Sequence, residues 1–326
     1  MISFIDEEYM PRDIESTGAC FHQPVLLREI VMALQPGAGK IVLDATVGGG
    51  GHSLALLKAG ASVIACDQDP EALEEASKRL AGYSNRTRFV ESNFADVDEW
   101  LSGAGVEELD GILLDLGLSS HQIDTPSRGF SFLGNGPLDM RMGPHIQRTA
   151  ADLVNRSSQE ELARIFFEFG EEPAGRRLAA HLVRVRGRAP ILTTSDLVKA
   201  VESVIPKRGP KHPATKVFQA LRIAVNDELA VLERALRSLS VRVKGGGRMA
   251  VIAFHSLEDR IVKFFFRDIS QEWIDRPEWP QPQRNPAYAF RLITARPIEP
   301  SEEEVRQNSR ARSAKLRVVE RIRNES

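Results

Sequence analysis

At 326 residues, with 42% apolar and 27% charged side chains, the chain is long enough for one large or two ordinary domains and has a globular composition. That mix excludes wholesale disorder, a collagen-like repeat and a disulfide scaffold. With 43 basic against 45 acidic residues the net charge is −2, which by itself points to no polyanionic partner.

The first residues hold Asp6, Glu7, Glu8, Asp13 and Glu15 against Arg12. They read as an acidic, disordered leader over residues 1–20, not as a signal peptide, because no basic stretch precedes an apolar one. No window of about 20 residues is apolar enough to span a bilayer, so no membrane is expected. Cys20 and Cys66 lack metal-ligand spacing and read as free thiols of a cytoplasmic protein. No Cys, His and carboxylate cluster suggests a metal.

Residues 40–44 (KIVLD) form a short apolar run that ends in a carboxylate, and residues 45–51 (ATVGGGG) a glycine-rich turn. Residues 52–59 have helical spacing, and residues 62–67 (SVIACD) give a second strand that again ends in an acid. Asp69 and Pro70 supply the N-cap and first-turn proline of a helix. Residues 88–90 predict a third strand and residues 111–115 (GILLD) a fourth. Continuous apolar strands alternating with helices predict a parallel sheet covered on both faces.

Residues 117–143 form a long Gly-, Pro- and Ser-rich loop, anchored by Phe130, Phe132, Leu138, Met140 and Met142. Short amphipathic helices follow to about residue 205. Residues 215–239 predict one long helix, capped by the glycines at 245–247, and residues 249–254 (MAVIAF) a fifth buried strand. Residues 288–298 and 314–321 suit an antiparallel hairpin at the sheet edge. The pattern predicts a small helical insert, residues 144–211, within an α/β domain formed by residues 21–143 and 212–326.

Charge is unevenly spread. Residues 176–216 carry ten basic side chains against Asp196 and Glu202, and residues 306–323 carry seven against Glu320. Each island is either a solvated face or a contact for phosphates.

The strand, glycine turn and helix, followed by a strand ending in Asp67, form the mononucleotide-binding half of a Rossmann-like fold. Glycine allows a tight turn and close approach of a ligand to the backbone. Asp67 is placed to accept hydrogen bonds from ribose hydroxyls. Starting from Gly48, a G-x-G-x-x-G fingerprint would need glycine where Ser53 stands, and no P-loop is present. A cradle without pyrophosphate features suits a nucleoside lacking phosphates, S-adenosylmethionine being the commonest. Its sulfonium is compatible with Asp44 and Asp115. The helix start near His52 suits its amino-acid carboxylate, and Phe94 suits an adenine wall or simple packing.

Eight segments together resemble one family, the bacterial 16S rRNA cytosine-N4 methyltransferases (RsmH or MraW). They are HQPVLLREI at 22–30, LDATVGGGGHS at 43–53, DGILLDLGLSSHQID at 110–124, RGFSF at 128–132 and GPLDMRM at 136–142. HPATKVFQALRIAVNDEL at 212–229, GGRMAVIAFHSLEDRIVKFFF at 246–266 and NSRARSAKLRVVERI at 308–322 complete the set. The resemblance implies a Rossmann-like class I S-adenosylmethionine-dependent methyltransferase fold with an inserted small helical domain for substrate recognition. It also implies methylation of a 16S rRNA cytidine in the decoding region of the small ribosomal subunit. Cofactor contacts would fall on Gly50, Gly51, His52, Asp67, Phe94, Asp115 and Gln122, the last from the resemblance alone. His121 stands where the family often has Pro, and Gly143 where an acid is common.

An exocyclic cytosine amine is a poor nucleophile, so the enzyme must accept a hydrogen bond from it and hold it in line with the methyl group. The chain lacks the Asp/Asn/Ser-Pro-Pro-aromatic motif of many amino methyltransferases. Asp115 or the Ser119–Ser120 turn is the candidate for meeting the amine; alternatively, Asp115 only holds cofactor and the serines only shape a turn. His255 is a candidate proton shuttle or a helix cap. Asp139 and Arg141 are candidates to close over the base, and Phe130 and Phe132 to stack on it or to anchor the loop. The rival functions are an amino methyltransferase acting on DNA or another RNA, a nicotinamide dehydrogenase and a non-catalytic RNA-binding factor. The sequence sets no oligomeric state.

Overall fold

The computed structural model describes residues 24–207, 209 and 212–323. The acidic leader, Cys20 and His22 lie outside the described residues. The described residues form two compact units, one made of those up to residue 117 and from 231 onward and the other of those from 118 to 230.

The first unit opens with α1 (Leu27–Leu34), β1 (Ile41–Asp44), α2 (Gly51–Lys58), β2 (Ser62–Asp67) and α3 (Pro70–Arg79). As expected, Asp69 caps α3, accepting from the Glu71 amide at 3.2 Å, with Pro70 in the first turn. Then come β3 (Thr87–Glu91), α4 (Val97–Gly103) and β4 (Leu109–Asp115).

The second unit is helical: α5 (Ser120–Asp124), α6 (Ala150–Arg156), α7 (Gln159–Glu168), α8 (Gly175–Arg186), α9 (Thr194–Glu202) and α10 (Ala214–Asn226). Its limits are wider than the expected 144–211, and the reason is packing. Phe130, Leu138 and Met140 from the glycine-rich loop, and Val217, Phe218 and Leu221 from α10, share one core with Leu153, Phe166, Leu178 and Leu197. Phe132 stacks 4.8 Å from the His212 ring and 5.2 Å from Phe218. Anchoring is therefore what the structure shows for Phe130 and Phe132. Asn226, buried, ties the same loop down: its amide donates to the Met140 carbonyl at 2.9 Å and its oxygen accepts from the Met142 amide at 2.9 Å.

The single helix expected over 215–239 is two helices. Asp227 adopts a left-handed conformation (φ 50°), which ends α10 and starts α11 (Glu228–Ser240); aspartate tolerates that region better than most residues. The chain continues as β5 (Val243–Ala253), α12 (Ser256–Ser270), a two-stranded ribbon β6 (Trp273–Ile274) and β7 (Gln283–Arg284), β8 (Phe290–Leu292), α13 (Glu302–Gln307) and β9 (Lys315–Arg321). The glycines at 245–247 lie inside β5 and do not cap a helix. A Cβ on Gly247 would sit 2.9 Å from the Asp110 carbonyl, so the irregular pairing of β4 with β5 requires glycine there.

Seven strands make one sheet in the order β3-β2-β1-β4-β5-β9-β8. The first five are parallel; β9 runs antiparallel to β5, and β8 antiparallel to β9. β8 and β9 pair at the edge as expected, but α13 lies between them in sequence. Alternate residues feed opposite layers. Leu43, Ile64, Ile112, Leu114 and Val251 pack with residues of α4, α11 and α12. Val42, Val63, Leu113, Ala250 and Ile252 pack with residues of α1 and α2. This is the doubly wound α/β arrangement the apolar runs predicted.

In the C-terminal basic island Arg317 is buried, Arg310, Lys315 and Arg321 are half-buried, and Arg306, Arg312 and Arg323 are exposed. Arg317, 8% exposed, makes a two-pronged ion pair with Asp259 at 2.7 and 3.2 Å. Lys315 lies 3.8 Å from the same carboxylate, Arg321 donates to the Ser240 and Val241 carbonyls, and Arg306 pairs with Glu302.

Candidate active site

Strand order reverses between β1 and β4: from β1 the chain builds outward through β2 and β3, and from β4 through β5 on the other side. In open α/β sheets ligands bind beyond the carboxyl ends of the strands at that switch point. Asp44 and Asp115 are the last residues of the two strands that flank it. Asp67 ends β2 beside them.

The turn after β1 is shaped by left-handed glycines, Gly48 (φ 48°) and Gly50 (φ 75°). A Cβ on Gly51 would lie 2.3 Å from the Pro24 ring, so α2 begins where only glycine fits against the preceding chain. Asp67 buttresses this turn from β2. Its two carboxylate oxygens accept from the Gly48 amide at 2.9 Å and the Asp69 amide at 3.0 Å. From α3, Arg79 donates to the Gly49 carbonyl at 3.0 Å. Asp67 keeps lone pairs on both oxygens, as an acceptor for ribose hydroxyls requires.

Asp44 is buried and accepts from the Ser53 hydroxyl at 2.7 Å. Thr46 ties the two central strands together, its hydroxyl oxygen accepting from the Asp115 amide at 2.7 Å. His52, also buried, has Nε2 2.9 Å from the Val25 carbonyl and Nδ1 3.6 Å from an Asp115 oxygen. Among the described residues no Lys or Arg pairs with Asp44, Asp67 or Asp115. Burial accordingly pushes the Asp44 and Asp67 carboxyls up to about 6. It pushes Asp115 up to about 7, with the negative charge of Glu258 adding to the rise. Burial lowers His52. Desolvated carboxylates without a protein cation form a site suited to a cationic ligand.

Phe94 follows β3, partly buried, and packs against the core of the sheet unit. His255 lies beyond β5 as the N-cap of α12. Its Nδ1 accepts from the Glu258 amide at 3.3 Å, and the Glu258 carboxylate accepts from the Phe254 and His255 amides in return. Nε2 stands 3.0 Å from a Glu258 oxygen, at an angle that makes no hydrogen bond. Distance and angle disagree here; the angle governs, because a hydrogen bond is directional. The ring is thus held as a cap.

The structure brings Gly50, Gly51, His52, Asp67 and Asp115 to one edge of the sheet unit. Ser119, Ser120 and Gln122 belong to the helical unit. Ser119 caps α5, its hydroxyl accepting from the Gln122 amide while the Gln122 side chain accepts from the Ser119 amide, both at 3.1 Å. The Ser120 side chain lies outside the described atoms. Asp139 and Arg141 bind each other through two side-chain bonds of 2.8 Å. Ser53, Thr46, Arg79 and Glu258 escaped the sequence reading. Only Glu258 left a signal there, as the acid three residues after a possible cap.

A doubly wound sheet with a glycine turn and an acid after its second strand defines a nucleoside-cofactor-binding fold. The chain belongs to the MraW methylase family, whose family model matches residues 19–322. The Ribosomal RNA small subunit methyltransferase H of Carboxydothermus hydrogenoformans is 46% identical over 304 residues, spanning 92% of this chain and 98% of that protein. The protein of the same name from Pelobacter propionicus is 47% identical over 308 residues, and that from Magnetococcus marinus 48% over 313 residues. Both comparisons span 92% of this chain and 98% of the relative.

Proposed function

We propose that this protein methylates the N4 amine of a cytidine in the 16S rRNA of the small ribosomal subunit, with S-adenosylmethionine as donor. Membership of the methylase family supports methyl transfer, and the names of its relatives support the ribosomal RNA substrate. The observation that carries the chemistry is the set of three carboxylates at the switch point with no Lys or Arg partner among the described residues.

S-adenosylmethionine supplies an electrophilic methyl group on a cationic sulfur. Asp67 would hold the ribose hydroxyls from the end of β2, and the start of α2 at Gly51 and His52 would receive the amino-acid carboxylate. Phe94 would offer a wall for the adenine. Asp44 and Asp115 favour positive charge between β1 and β4. Asp115 accepts the proton that the amine must lose, and its burial, which favours the neutral carboxylic acid, supports that role. Holding the amine in line with the methyl group supplies on the order of 7–11 kcal/mol in favourable cases. A paired target base must first be unstacked, at a cost of about a few kcal/mol.

The helical unit serves recognition. Arg176, Arg177, Arg184, Arg188 and Lys199 lie on α8, α9 and the turn after α8, at the surface, where they can meet phosphates. No helix among the described residues is long and apolar enough to cross a membrane, and the protein acts in the cytoplasm on the small subunit.

The test is transfer of isotope-labelled methyl groups to small subunits, naked 16S rRNA, other RNA and DNA. Label in small-subunit RNA alone is the expected result. Preferential label in DNA or another RNA would establish the alternative amino methyltransferase.

A further inference from the structure

We propose that His52 is a positioning residue for methyl transfer, its ring locked by the Val25 carbonyl so that Nδ1 receives the proton-bearing oxygen of Asp115. The inference rests on Asp115 being the proton acceptor.

The geometry fixes the ring. His52 is 6% exposed and sits in the first turn of α2. A carbonyl oxygen can only accept, so the 2.9 Å contact with Val25 places a hydrogen on Nε2. In the neutral ring Nδ1 then carries a lone pair, and it faces Asp115 Oδ2 across 3.6 Å. Burial lowers the His52 pKa and so favours this neutral form. The charged groups facing Asp115 are His52 from α2, Asp44 from β1 and Glu258 from α12. Of these, only His52 offers a neutral acceptor; the other two are carboxyls that oppose further negative charge.

During transfer the N4 lone pair forms the bond to the methyl carbon, and the carbon–sulfur bond breaks with its electron pair going to sulfur. The nitrogen proton passes to Asp115 Oδ2. Before transfer, 3.6 Å separates an ionised carboxylate from a lone pair, and no hydrogen bond spans it. After transfer, a small rotation of the new O–H toward Nδ1 makes an O–H···N hydrogen bond. A bond to the protonated form raises the basicity of the carboxylate. His52 thereby acts through Asp115, without touching the substrate amine.

Two substitutions separate the ring's nitrogens. In His52→Gln the carboxamide nitrogen can replace Nε2 and keep the Val25 bond, but nothing replaces Nδ1. At saturating cofactor and RNA, kcat should fall by at least about tenfold, and the acidic limb of the kcat–pH profile should move to lower pH. In His52→Asn an acceptor oxygen can stand near Nδ1 without the Val25 bond, and kcat should exceed that of the Gln variant. Nitrogen NMR of the wild-type protein checks the premise without any variant: His52 should be the Nε2-protonated tautomer.

Wild-type kcat and an unmoved pH limb in His52→Gln would overturn the inference, as would the Nδ1-protonated tautomer in the wild type. Asp115→Asn separates the two ideas. If that variant retains turnover, the role of Asp115 fails. If it is inactive while His52→Gln behaves as wild type, only the role of His52 fails.

Discussion

Replacing Asp67 with Asn changes one atom of the site and leaves its shape intact. In the native structure both carboxylate oxygens are engaged, with the Gly48 amide at 2.9 Å and the Asp69 amide at 3.0 Å. Asparagine keeps one acceptor and turns an NH2 group toward the other amide, which loses its partner. An unsatisfied buried amide costs about 1–3 kcal/mol, and this appears as lost stability of the ligand-free protein. The proposed ribose contact is a separate loss. A charge-assisted hydrogen bond contributes about 1.5–3 kcal/mol, so removing one weakens cofactor binding roughly tenfold to a hundredfold. Calorimetric titration with S-adenosylmethionine at about pH 8 measures the second loss, because Asp67, raised to about 6, is ionised there. Urea unfolding without ligand measures the first. A variant that loses stability but binds cofactor as tightly as wild type would show that Asp67 only buttresses the glycine turn.

Other consequences are as direct. Because burial raises Asp115 to about 7, its folded pKa exceeds the ordinary unfolded value of about 3.9. Its contribution to stability is therefore present at low pH and lost as pH rises through about 7. Ligand-free Asp115→Asn should lose less thermal stability than wild type between about pH 4 and 7, and parallel curves would contradict the assignment. Asn226→Ala should cost about 2–4 kcal/mol in urea unfolding, because the Met140 carbonyl and Met142 amide are left without a partner; a cost under about 1 would mean the loop re-pairs. Changing Arg184, Arg186 and Arg188 together to Ala should lower the slope of log RNA affinity against log salt by about one for each phosphate no longer neutralised. Arg186 donates to the Val154 carbonyl, a neutral group, which leaves its charge available. An unchanged slope would make this face merely solvated.

The sheet was legible because parallel strands buried on both faces are nearly continuous apolar runs, and each of the first, second and fourth ends in an aspartate that the ligand edge needs. The glycine turn and Asp67 were legible for the same reason: local sequence dictates them. What escaped depends on contacts between distant residues. Asn226 fastens a loop 84 residues earlier, and Asp259 neutralises Arg317 from 58 residues away. That pairing places one arginine of the basic island inside the sheet. Asp227 broke an apparently continuous helix through a backbone conformation that hydrophobic spacing does not record. The glycines at the start of β5 read as a helix end because the role of Gly247, close approach to the Asp110 carbonyl, exists only once β4 lies beside it. Periodicity likewise could not show that His255 caps α12, a role that depends on the bond from the Glu258 amide to Nδ1.

The most direct measurement is nucleoside mass spectrometry of small-subunit RNA from cells with and without this protein, followed by restoration with the purified protein and S-adenosylmethionine. N4-methylcytidine should be present with the protein, absent without it and restored by wild type but not by Asp115→Asn. An unchanged amount of N4-methylcytidine in cells lacking the protein, with the loss of a different methylated nucleoside, would contradict the proposed reaction.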